Sequence, residues 1–341
     1  SSGSAPVDLV SDLPAGRRTA FVEWADDGKS FLYLSSLRDE KYLDLYEYTV
    51  ATGKSARLWE SSGSRELAAV SRDHRRFVIA ETLSDADSNL YLVERGAKGR
   101  PAGEPKLLTA HGGEVLFQAR AFSEDARTLY YTSDEGREFA ALYEMDLKSL
   151  AAKPVRQPDW DVEDAGFSRA WKYFFVATNV DGQIQLAVED VKTRAGVALP
   201  DPPAGCSWVP ITSSRTDRYV GVRLQGDATP AAPYIIDVAK KTARKVIEPL
   251  PQTLAGRKMA VGETVRIPSF DGKEVPAFLY RPEGAGPFPA LIDVHGGPTA
   301  QSRREFSGMR QYLVSKGYAV LVPNVRGSTG YGQTYMRLDN L

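Results

Sequence analysis

The alternation of apolar and polar positions in the first two thirds of the chain repeats five times. Each copy has a polar turn with a small residue and often an Asp, then an apolar run, then a second run that often contains tyrosine. Because polar residues alternate with apolar ones, the pattern predicts half-buried antiparallel strands. The five apolar runs are residues 31–34, 77–80, 129–132, 173–177 and 219–222.

The period of this repeat predicts a β-propeller. Matching positions in the second run lie 45, 52, 44 and 48 residues apart, at Leu45, Leu90, Leu142, Leu186 and Tyr234. Repeats of about 40–50 residues with several short strands are typical of propeller blades. We therefore predict five blades within residues 15–255. A β-sandwich is the alternative, which the regular spacing disfavours.

Five blades are fewer than we expect for a closed propeller. Blades of this size usually number about six to eight, so N-terminal blades are expected to be missing. The alternative is that residues 1–14 and a poorly patterned segment complete the ring.

The pattern changes after a polar stretch rich in proline and glycine, residues 249–262, which predicts a domain boundary. Beyond it, Asp271-Gly272 between two alternating runs predicts a hairpin, and Pro276 predicts that its second strand lies at a sheet edge. A buried strand at 290–294, a helix and an apolar run at 318–323 then predict a parallel α/β sheet over residues 256–341.

We expect that helix over residues 303–316. Its predicted apolar face contains Phe306, Met309, Tyr312 and Leu313, and Gly317 ends it as a C-cap.

Composition excludes several classes of function. The formal net charge is -1, so no overall field attracts nucleic acid or an anionic membrane. No apolar run approaches the ~18–20 residues needed to cross a bilayer. The single cysteine, Cys206, excludes an internal disulfide and is expected in the core beside Trp208. Neither a metal cluster nor a phosphate loop is visible, so we expect no cofactor.

The start of the chain, Ser1-Ser2-Gly3-Ser4 without an initiator Met, suggests a cut or tagged end. A cytoplasmic and a periplasmic location are both compatible with this composition. The sequence leaves open whether copies of the chain form a homo-oligomer.

A glycine-rich turn, His295-Gly296-Gly297-Pro298, follows the apolar run 290–294 and is the first candidate for chemistry. Glycines let a carbonyl substrate approach the main chain, and N–H groups at the carboxyl end of a strand can stabilise an oxyanion. We predict the Gly297 N–H as this donor, with Gly296 as the alternative, because Pro298 has no N–H. The competing interpretation is an ordinary strand-to-helix turn.

A second glycine-rich cluster, residues 324–332, follows the last apolar run. Arg326 is predicted to brace the floor of the site through carboxylate or carbonyl partners. Ser328 is disfavoured as a nucleophile because the G-x-S-x-G pattern is absent. Residues 166–170, which include Ser168, match this pattern more closely, but they lie in a predicted blade turn.

The histidines are better explained by structure than by catalysis. His295 is predicted to order its loop, since a residue directly before the donor glycines cannot easily serve as base for a nucleophile on another strand. His74 lies in a predicted blade turn and His111 in a glycine-rich loop, so both are expected to be structural or solvated.

Together, the propeller repeats, the Asp271-Gly272 hairpin, His295-Gly296-Gly297-Pro298 and the cluster from Asn324 to Gly332 resemble the prolyl oligopeptidase family of serine peptidases. The resemblance is to its acylaminoacyl-peptidase and dipeptidyl-peptidase branch. It implies a propeller that admits only short peptides, joined to an α/β-hydrolase domain with a Ser-Asp-His triad. It also implies an oxyanion role for the Gly297 N–H, and places His295, Pro298, Arg326 and Tyr331 at or near the substrate site.

The triad has no counterpart in the 341 residues, since a nucleophile elbow would need at least another βαβ unit of about 30 residues. We therefore expect a fragment of a longer peptidase that is inactive alone. One alternative is a non-catalytic propeller that binds peptides or proteins. An esterase or lipase is another, which the repeats disfavour. Short peptides are the expected partners, and no nucleic acid or membrane partner is expected.

Overall fold

The computed structural model describes residues 8–10, 14–96, 101, 103–254, 256–297 and 299–339. As far as they are described, Ser1–Ser133 and Tyr143–Lys153 form one compact unit, unit 1, and Asp134–Leu142 and Pro154–Leu341 form a second, unit 2. The predictions made for residues 1–4 and for Pro298 lie outside the described residues.

Three four-stranded antiparallel sheets come first in the chain, with strand orders β1-β2-β3-β4, β5-β6-β7-β8 and β12-β11-β10-β9. Their strands are β1 (Thr19–Trp24), β2 (Ser30–Ser35), β3 (Asp44–Thr49), β4 (Lys54–Trp59), β5 (Arg65–Val70), β6 (Arg76–Ser84), β7 (Asp87–Glu94), β8 (Lys106–Leu107), β9 (Phe117–Phe122), β10 (Thr128–Ser133), β11 (Ala141–Asp146) and β12 (Ala152–Arg156).

The next two sheets have strand orders β13-β14-β15 and β16-β17-β18-β19. Their strands are β13 (Asp161–Phe167), β14 (Tyr173–Val180), β15 (Gln183–Asp190), β16 (Cys206–Ser213), β17 (Tyr219–Gly226), β18 (Ala232–Asp237) and β19 (Thr242–Lys245). The five predicted apolar runs fall on β2, β6, β10, β14 and β17, so each repeat is one sheet.

A sixth sheet, of order β20-β21-β23-β22, ends the chain. Its elements, with the short helices of this region, are a 3-10 helix (Gln252–Leu254), β20 (Glu263–Pro268), β21 (Glu274–Tyr280), β22 (Ala290–Ile292), α1 (Gly308–Ser315), β23 (Ala319–Pro323), α2 (Gln333–Met336) and a 3-10 helix (Arg337–Asp339).

One turn geometry recurs between the first two strands of all five repeats. The fourth residue of the turn has a positive φ of 53° to 67°, and its N–H donates to the carbonyl of the first residue at 2.8–2.9 Å. Only one of the five is glycine, so the other four residues adopt a positive φ that is unfavourable for a residue with a Cβ. The five residues are Gly28, His74, Ala126, Trp171 and Asp217.

A serine begins four of these turns and offsets that strain. Its hydroxyl accepts the N–H of the residue five positions later, at 2.8–3.1 Å. The side chain thereby satisfies a main-chain donor at the end of the turn. The serines are Ser71, Ser123, Ser168 and Ser214.

The carboxylate of Asp217 joins two of these turns within unit 2. It is buried and accepts hydrogen bonds from the hydroxyls of Ser168 (2.5 Å) and Ser213 (2.7 Å). It also accepts the N–H groups of Ala170 (3.0 Å) and Lys172 (3.1 Å). Burial raises the pKa of Asp217, but these four hydrogen bonds outweigh it and hold the pKa below its usual value.

The sixth sheet contains the predicted hairpin and the predicted parallel pair. The chain turns at Asp271-Gly272 between β20 and β21, and β22 pairs in parallel with β23 after crossing over through α1. Its core is formed by Phe278, Tyr280, Val314, Val320 and Val322. Cys206, as predicted, lies in the core of the fifth sheet with Trp208.

The prediction that Pro276 lies at a sheet edge is wrong. Its strand, β21, pairs with β20 on one side and with β23 on the other. The Pro276 carbonyl accepts the N–H of Asn324 at 2.7 Å, and the Asn324 carbonyl, which lacks the reciprocal N–H, accepts the Tyr335 hydroxyl at 2.7 Å instead. The tyrosine thereby makes a proline tolerable inside the sheet.

The prediction of a buried strand at 290–294 is also wrong. The strand ends at Ile292 and all its residues are exposed, with 66% of Ile292 accessible. Its position at the sheet edge explains this, since its only neighbour among the described strands is β23.

The helix is shorter than predicted. It begins after Ser307, whose hydroxyl accepts the Arg310 N–H at 3.3 Å, and Gly317 follows its end with a φ of +92°. Arg303 and Arg304 lie before the helix, and each forms an ion pair with a distant carboxylate. Of the predicted apolar positions, Met309 and Tyr312 are exposed, whereas Leu313 packs against the core.

Replacing Asp217 by Asn is expected to lower the free energy of unfolding by about 2–4 kcal/mol at pH 7, because an amide cannot accept all four hydrogen bonds. Asn tolerates the positive φ of this position, so little new strain is added. Because folding lowers this pKa, the difference should be greatest above the pKa of the unfolded Asp. It should vanish as the pH falls through the folded value.

Urea unfolding of both proteins from about pH 7 to about pH 3 measures this difference. The control is Asp201→Asn, which removes the same charge from an exposed position. Equal unfolding free energies for wild type and Asp217→Asn at pH 7 would show that the Asp217 carboxylate does not stabilise the two turns that it joins.

Candidate functional site

The candidate site is the turn that follows β22. Gly296 and Gly297 are both exposed, and neither N–H donates to another of the described residues. Gly297 has a φ of +129°, and a Cβ there would lie 2.9 Å from the nitrogen of Thr299. A Cβ on Gly296 would meet nothing within 4 Å. The turn therefore requires glycine at 297, and it leaves both N–H groups exposed and without a partner in the part of the chain that the structure describes.

The ring of His295 contacts both sides of this turn. Its Nδ1 lies 2.9 Å from the carbonyl oxygen of Gly296, and its Nε2 lies 2.9 Å from the hydroxyl of Ser328. Both ring nitrogens are therefore engaged within the two glycine-rich clusters, and the cluster at 324–332 lies beside the glycine turn.

Ser328 is buried, with no accessible surface, and its hydroxyl donates to the carbonyl of Val325 at 2.5 Å. A nucleophile must reach its substrate, so this position does not suit one. Ser168 is excluded on the same grounds, since it is buried and donates to Asp217.

Asn324 fixes the segment that follows the glycine turn. Its side chain, which is fully buried, accepts the N–H of Ser302 at 2.7 Å and donates to the Ser302 carbonyl at 3.1 Å and to the Tyr331 hydroxyl at 3.0 Å. A further main-chain bond runs from the Thr329 N–H to the Ala300 carbonyl at 2.9 Å. The two clusters are thus held together by both side-chain and main-chain bonds.

Tyr331 extends this network to the turn between β14 and β15. Its hydroxyl donates to Asp181 at 2.9 Å, and Asp181 also pairs with Arg266 at 2.9 Å. Burial, together with the nearby Asp181 carboxylate, raises the pKa of Tyr331, so the phenol stays protonated. Its ring meets Trp160 edge-on, with centroids 6.1 Å apart.

Arg326 points to the β20–β21 hairpin. Its Nη1 lies 2.7 Å from Asp271, and its guanidinium lies 5.0 Å from the ring centre of Phe270. The hydrogen bond from Arg326 is the main reason that the pKa of Asp271 is lowered. The carboxylate partner predicted for Arg326 is therefore in the hairpin turn.

Two ion pairs near the site have no signal in the sequence pattern. Arg303 forms a bidentate pair with Glu163, and Arg304 pairs with the buried Asp227 at 2.9 Å. Glu163 lies on β13 in the fourth sheet and Asp227 directly follows β17 of the fifth, so only the folded chain brings these pairs together.

The other two histidines are structural. His74 is buried with its Nε2 3.1 Å from Glu23, and His111 contacts the Thr109 carbonyl at 2.8 Å and Asp87 at 2.9 Å. Among the described residues, no group of three or more His, Cys, Asp or Glu side chains could hold a metal ion. Within the same residues, no helix has the length and apolar character required to cross a membrane.

Comparison with known proteins gives matches along most of the chain. Residues 304–340 match the prolyl oligopeptidase family. Dipeptidyl aminopeptidase BIII of Pseudoxanthomonas mexicana is 28% identical over 329 residues, which are 89% of this chain and 45% of that protein.

Solved structures match nearly all of the chain. A puromycin hydrolase has a TM-score of 0.73 at 19% identity, covering 96% of this chain and 53% of that chain. A prolyl endopeptidase has a TM-score of 0.71 at 18% identity, covering 93% and 48%. This likeness in fold confirms the predicted propeller. The chain spans about half the length of these relatives.

Replacing Tyr331 by Phe is expected to cost about 1–3 kcal/mol of unfolding free energy, because Asp181 and Asn324 each lose a partly buried hydrogen-bond partner. Urea unfolding measures the loss. The control, Tyr312→Phe, removes an exposed hydroxyl and should change stability by less than about 0.5 kcal/mol. Equal stabilities for the two variants would show that the Tyr331 hydroxyl does not support the network.

Proposed function

Because this chain shares sequence and fold with the prolyl oligopeptidase family, we propose that it is part of a serine peptidase that hydrolyses short peptides through an acyl-enzyme. The observation that carries the proposal is the exposed glycine turn at the carboxyl end of β22, with two N–H groups that are unengaged among the described residues. Acyl transfer needs such donors where negative charge develops.

In this mechanism a serine hydroxyl gives its proton to the catalytic histidine as its oxygen bonds to the substrate carbonyl carbon. The C=O π electrons move onto the carbonyl oxygen, which becomes negatively charged. The N–H of Gly297 donates to that oxygen, with the N–H of Gly296 as the alternative. Main-chain donors held by a rigid turn need little reorganisation as the charge develops. His295 orders the turn, and Pro298, Arg326 and Tyr331 belong to the surrounding site.

The catalytic Ser, Asp and His are proposed to lie beyond residue 341. This is supported by the three histidines of the chain, which are all engaged elsewhere: His74 with Glu23, His111 with Asp87, and His295 with a buried serine. None of them faces an exposed serine among the described residues.

The two domains have separate roles in this proposal. Residues 15–255 form a propeller that restricts access to short peptides, and residues 256–341 begin an α/β-hydrolase domain. The parallel β22–α1–β23 unit supports the second assignment. The alternative is a propeller that binds peptides without cleaving them.

The full-length gene product is expected to cleave dipeptidyl or N-acylated chromogenic amides and to be labelled by a fluorophosphonate, which reacts with activated serines. Residues 1–341 alone should neither cleave these amides nor be labelled, provided that circular dichroism shows them to be folded. Peptide binding without turnover or labelling by the full-length product would favour the binding alternative. Turnover by residues 1–341 would contradict the placement of the triad.

Replacing Gly297 by Ala in the full-length product is expected to lower kcat by about 10- to 100-fold with little change in KM. The new methyl group cannot fit beside Thr299 without moving the N–H, and loss of one oxyanion donor costs up to about 10²–10³ in kcat. The matched control is Gly296→Ala, where a methyl group has room. Steady-state kinetics at matched thermal stability measure both. Equal kcat values for the two variants would argue against Gly297.

A further inference from the structure

A cleft in unit 1 takes no part in the proposed peptidase site. It has a volume of about 560 Å³ and is formed by the turns between the first two strands of the first three sheets, at residues 25–27, 72–74 and 124–125. Ser30, Glu47 and Arg95 complete its lining. Its volume lies within the range of about 300–1,000 Å³ that is typical of sites for small ligands.

Ion pairs hold the three turns in place around the cleft. The guanidinium group of Arg72 binds Asp26 in the first turn and lies 2.8 Å from Glu124 in the third. Arg95 pairs with Glu47. The cleft is therefore preformed, and both of its guanidinium groups are already paired with carboxylates.

The charge that remains in the cleft is negative. Six carboxylates and two guanidinium groups line it, which gives a net charge of -4 when His74 is neutral. Asp73 forms no salt bridge among the described residues, and its Oδ1 accepts hydrogen bonds from the Ser71 hydroxyl and the Arg75 N–H. Burial raises the pKa of Asp73, but these hydrogen bonds outweigh it and hold the pKa below its usual value. The cleft therefore attracts cations.

Two further carboxylates of the cleft, Asp27 and Asp125, have only weakly held partners. Lys29 lies 3.6 Å from Asp27 and Arg127 lies 3.8 Å from Asp125, and both cations are largely exposed. Because exposed pairs of this kind contribute little free energy, a bound cation can replace them.

A buried nitrogen atom of His74 also points to a ligand. The His74 side chain is only 5% accessible, and its Nε2 lies 3.1 Å from the carboxylate of Glu23, which is not part of the cleft lining. A carboxylate can only accept, so Nε2 carries the proton of the neutral ring and Nδ1 is an acceptor. Nδ1 has no partner in the part of the chain that the structure describes, and it is the ring nitrogen left to face the cleft. A ligand with N–H donors satisfies it.

The spread of the carboxylates indicates which kind of cation fits. They come from three turns and from β3. Within the described ranges, no group of three or more His, Cys, Asp or Glu side chains could hold a metal ion. An extended cation with separated charges can reach several of these carboxylates, whereas one small ion cannot.

We propose that this cleft binds an organic oligocation, a flexible chain that carries two or more ammonium groups. The ammonium groups pair with Asp73 and its neighbouring carboxylates, and one N–H of the ligand donates to Nδ1 of His74. The inference is independent of the proposed peptidase function. Free polyamines and the lysine side chains of peptides both have this chemistry.

Calorimetric titration of the full-length gene product with spermidine tests the site, at low salt and at about pH 8, where an ordinary imidazole is neutral. Saturable binding of one spermidine per chain is expected. Asp73→Asn should weaken it by about 5-fold, because one exposed charge pair is lost. His74→Asn, in which the new residue tolerates a positive φ, should weaken it similarly because the Nδ1 acceptor is lost. With both variants shown by urea unfolding to be folded, wild-type affinity in either one would overturn the proposal, as would absence of saturable binding to the wild type.

The matched control is Asp201→Asn, which removes the same charge from an exposed position in unit 2. Its affinity for spermidine should equal that of the wild type. A loss as large as that of Asp73→Asn would attribute binding to the overall charge of the protein and overturn the proposal.

Two further titrations identify the ligand. MgCl₂ and NaCl at equal ionic strength should weaken spermidine binding to a similar extent, because both act by screening. A much stronger effect of Mg²⁺ would assign the cleft to a metal ion and overturn the proposal. A blocked trilysine peptide distinguishes the two sources of ammonium groups: tighter binding of spermidine would support a free polyamine, and tighter binding of the peptide would support a lysine-rich segment as the oligocation.

Discussion

The candidate site depends on how polar main-chain groups are satisfied where β23 ends. Asn324 does this with every polar group it has. Its side chain bonds both main-chain groups of Ser302, and its own N–H and carbonyl bond Pro276 and Tyr335. Burying any of these groups without a partner would cost about 1–3 kcal/mol each. The segment after the glycine turn is consequently held to the sheet by bonds that cannot be broken singly at low cost.

Around this centre, charged groups bring distant parts of unit 2 to the same place. Asp181, in the turn between β14 and β15, binds both Tyr331 and Arg266. Glu163 on β13 holds Arg303 in a bidentate pair. Such charge-assisted bonds are directional. The helix begins only at Gly308, after the two ion-paired arginines at 303 and 304.

The parts of the fold that could be predicted from sequence are those governed by local geometry. The repeat was visible because each turn needs particular residues at fixed spacing, and the hairpin because Asp-Gly favours a tight turn. The exposure of β22 could not be predicted, since an apolar run does not reveal whether its strand is central or at an edge. Pro276 was misplaced because its missing N–H is compensated by Tyr335, 59 residues away in the sequence.

Only the glycines of the site could be predicted from the sequence. The need for a positive φ, or for close approach of a substrate to the main chain, can be recognised at a single residue. The network that supports them joins Tyr331 to Asp181, 150 residues apart, and Arg303 to Glu163, 140 residues apart. Contacts between residues so far apart cannot be read from a local pattern.

The recurring turn between the first two strands of each repeat has a different implication. Its fourth position is filled by five different residue types, two of which form side-chain hydrogen bonds with residues far away in the sequence, His74 with Glu23 and Asp217 with the turn of Ser168. Duplicated segments can therefore diverge and acquire separate tasks at this position while the inherited backbone is preserved.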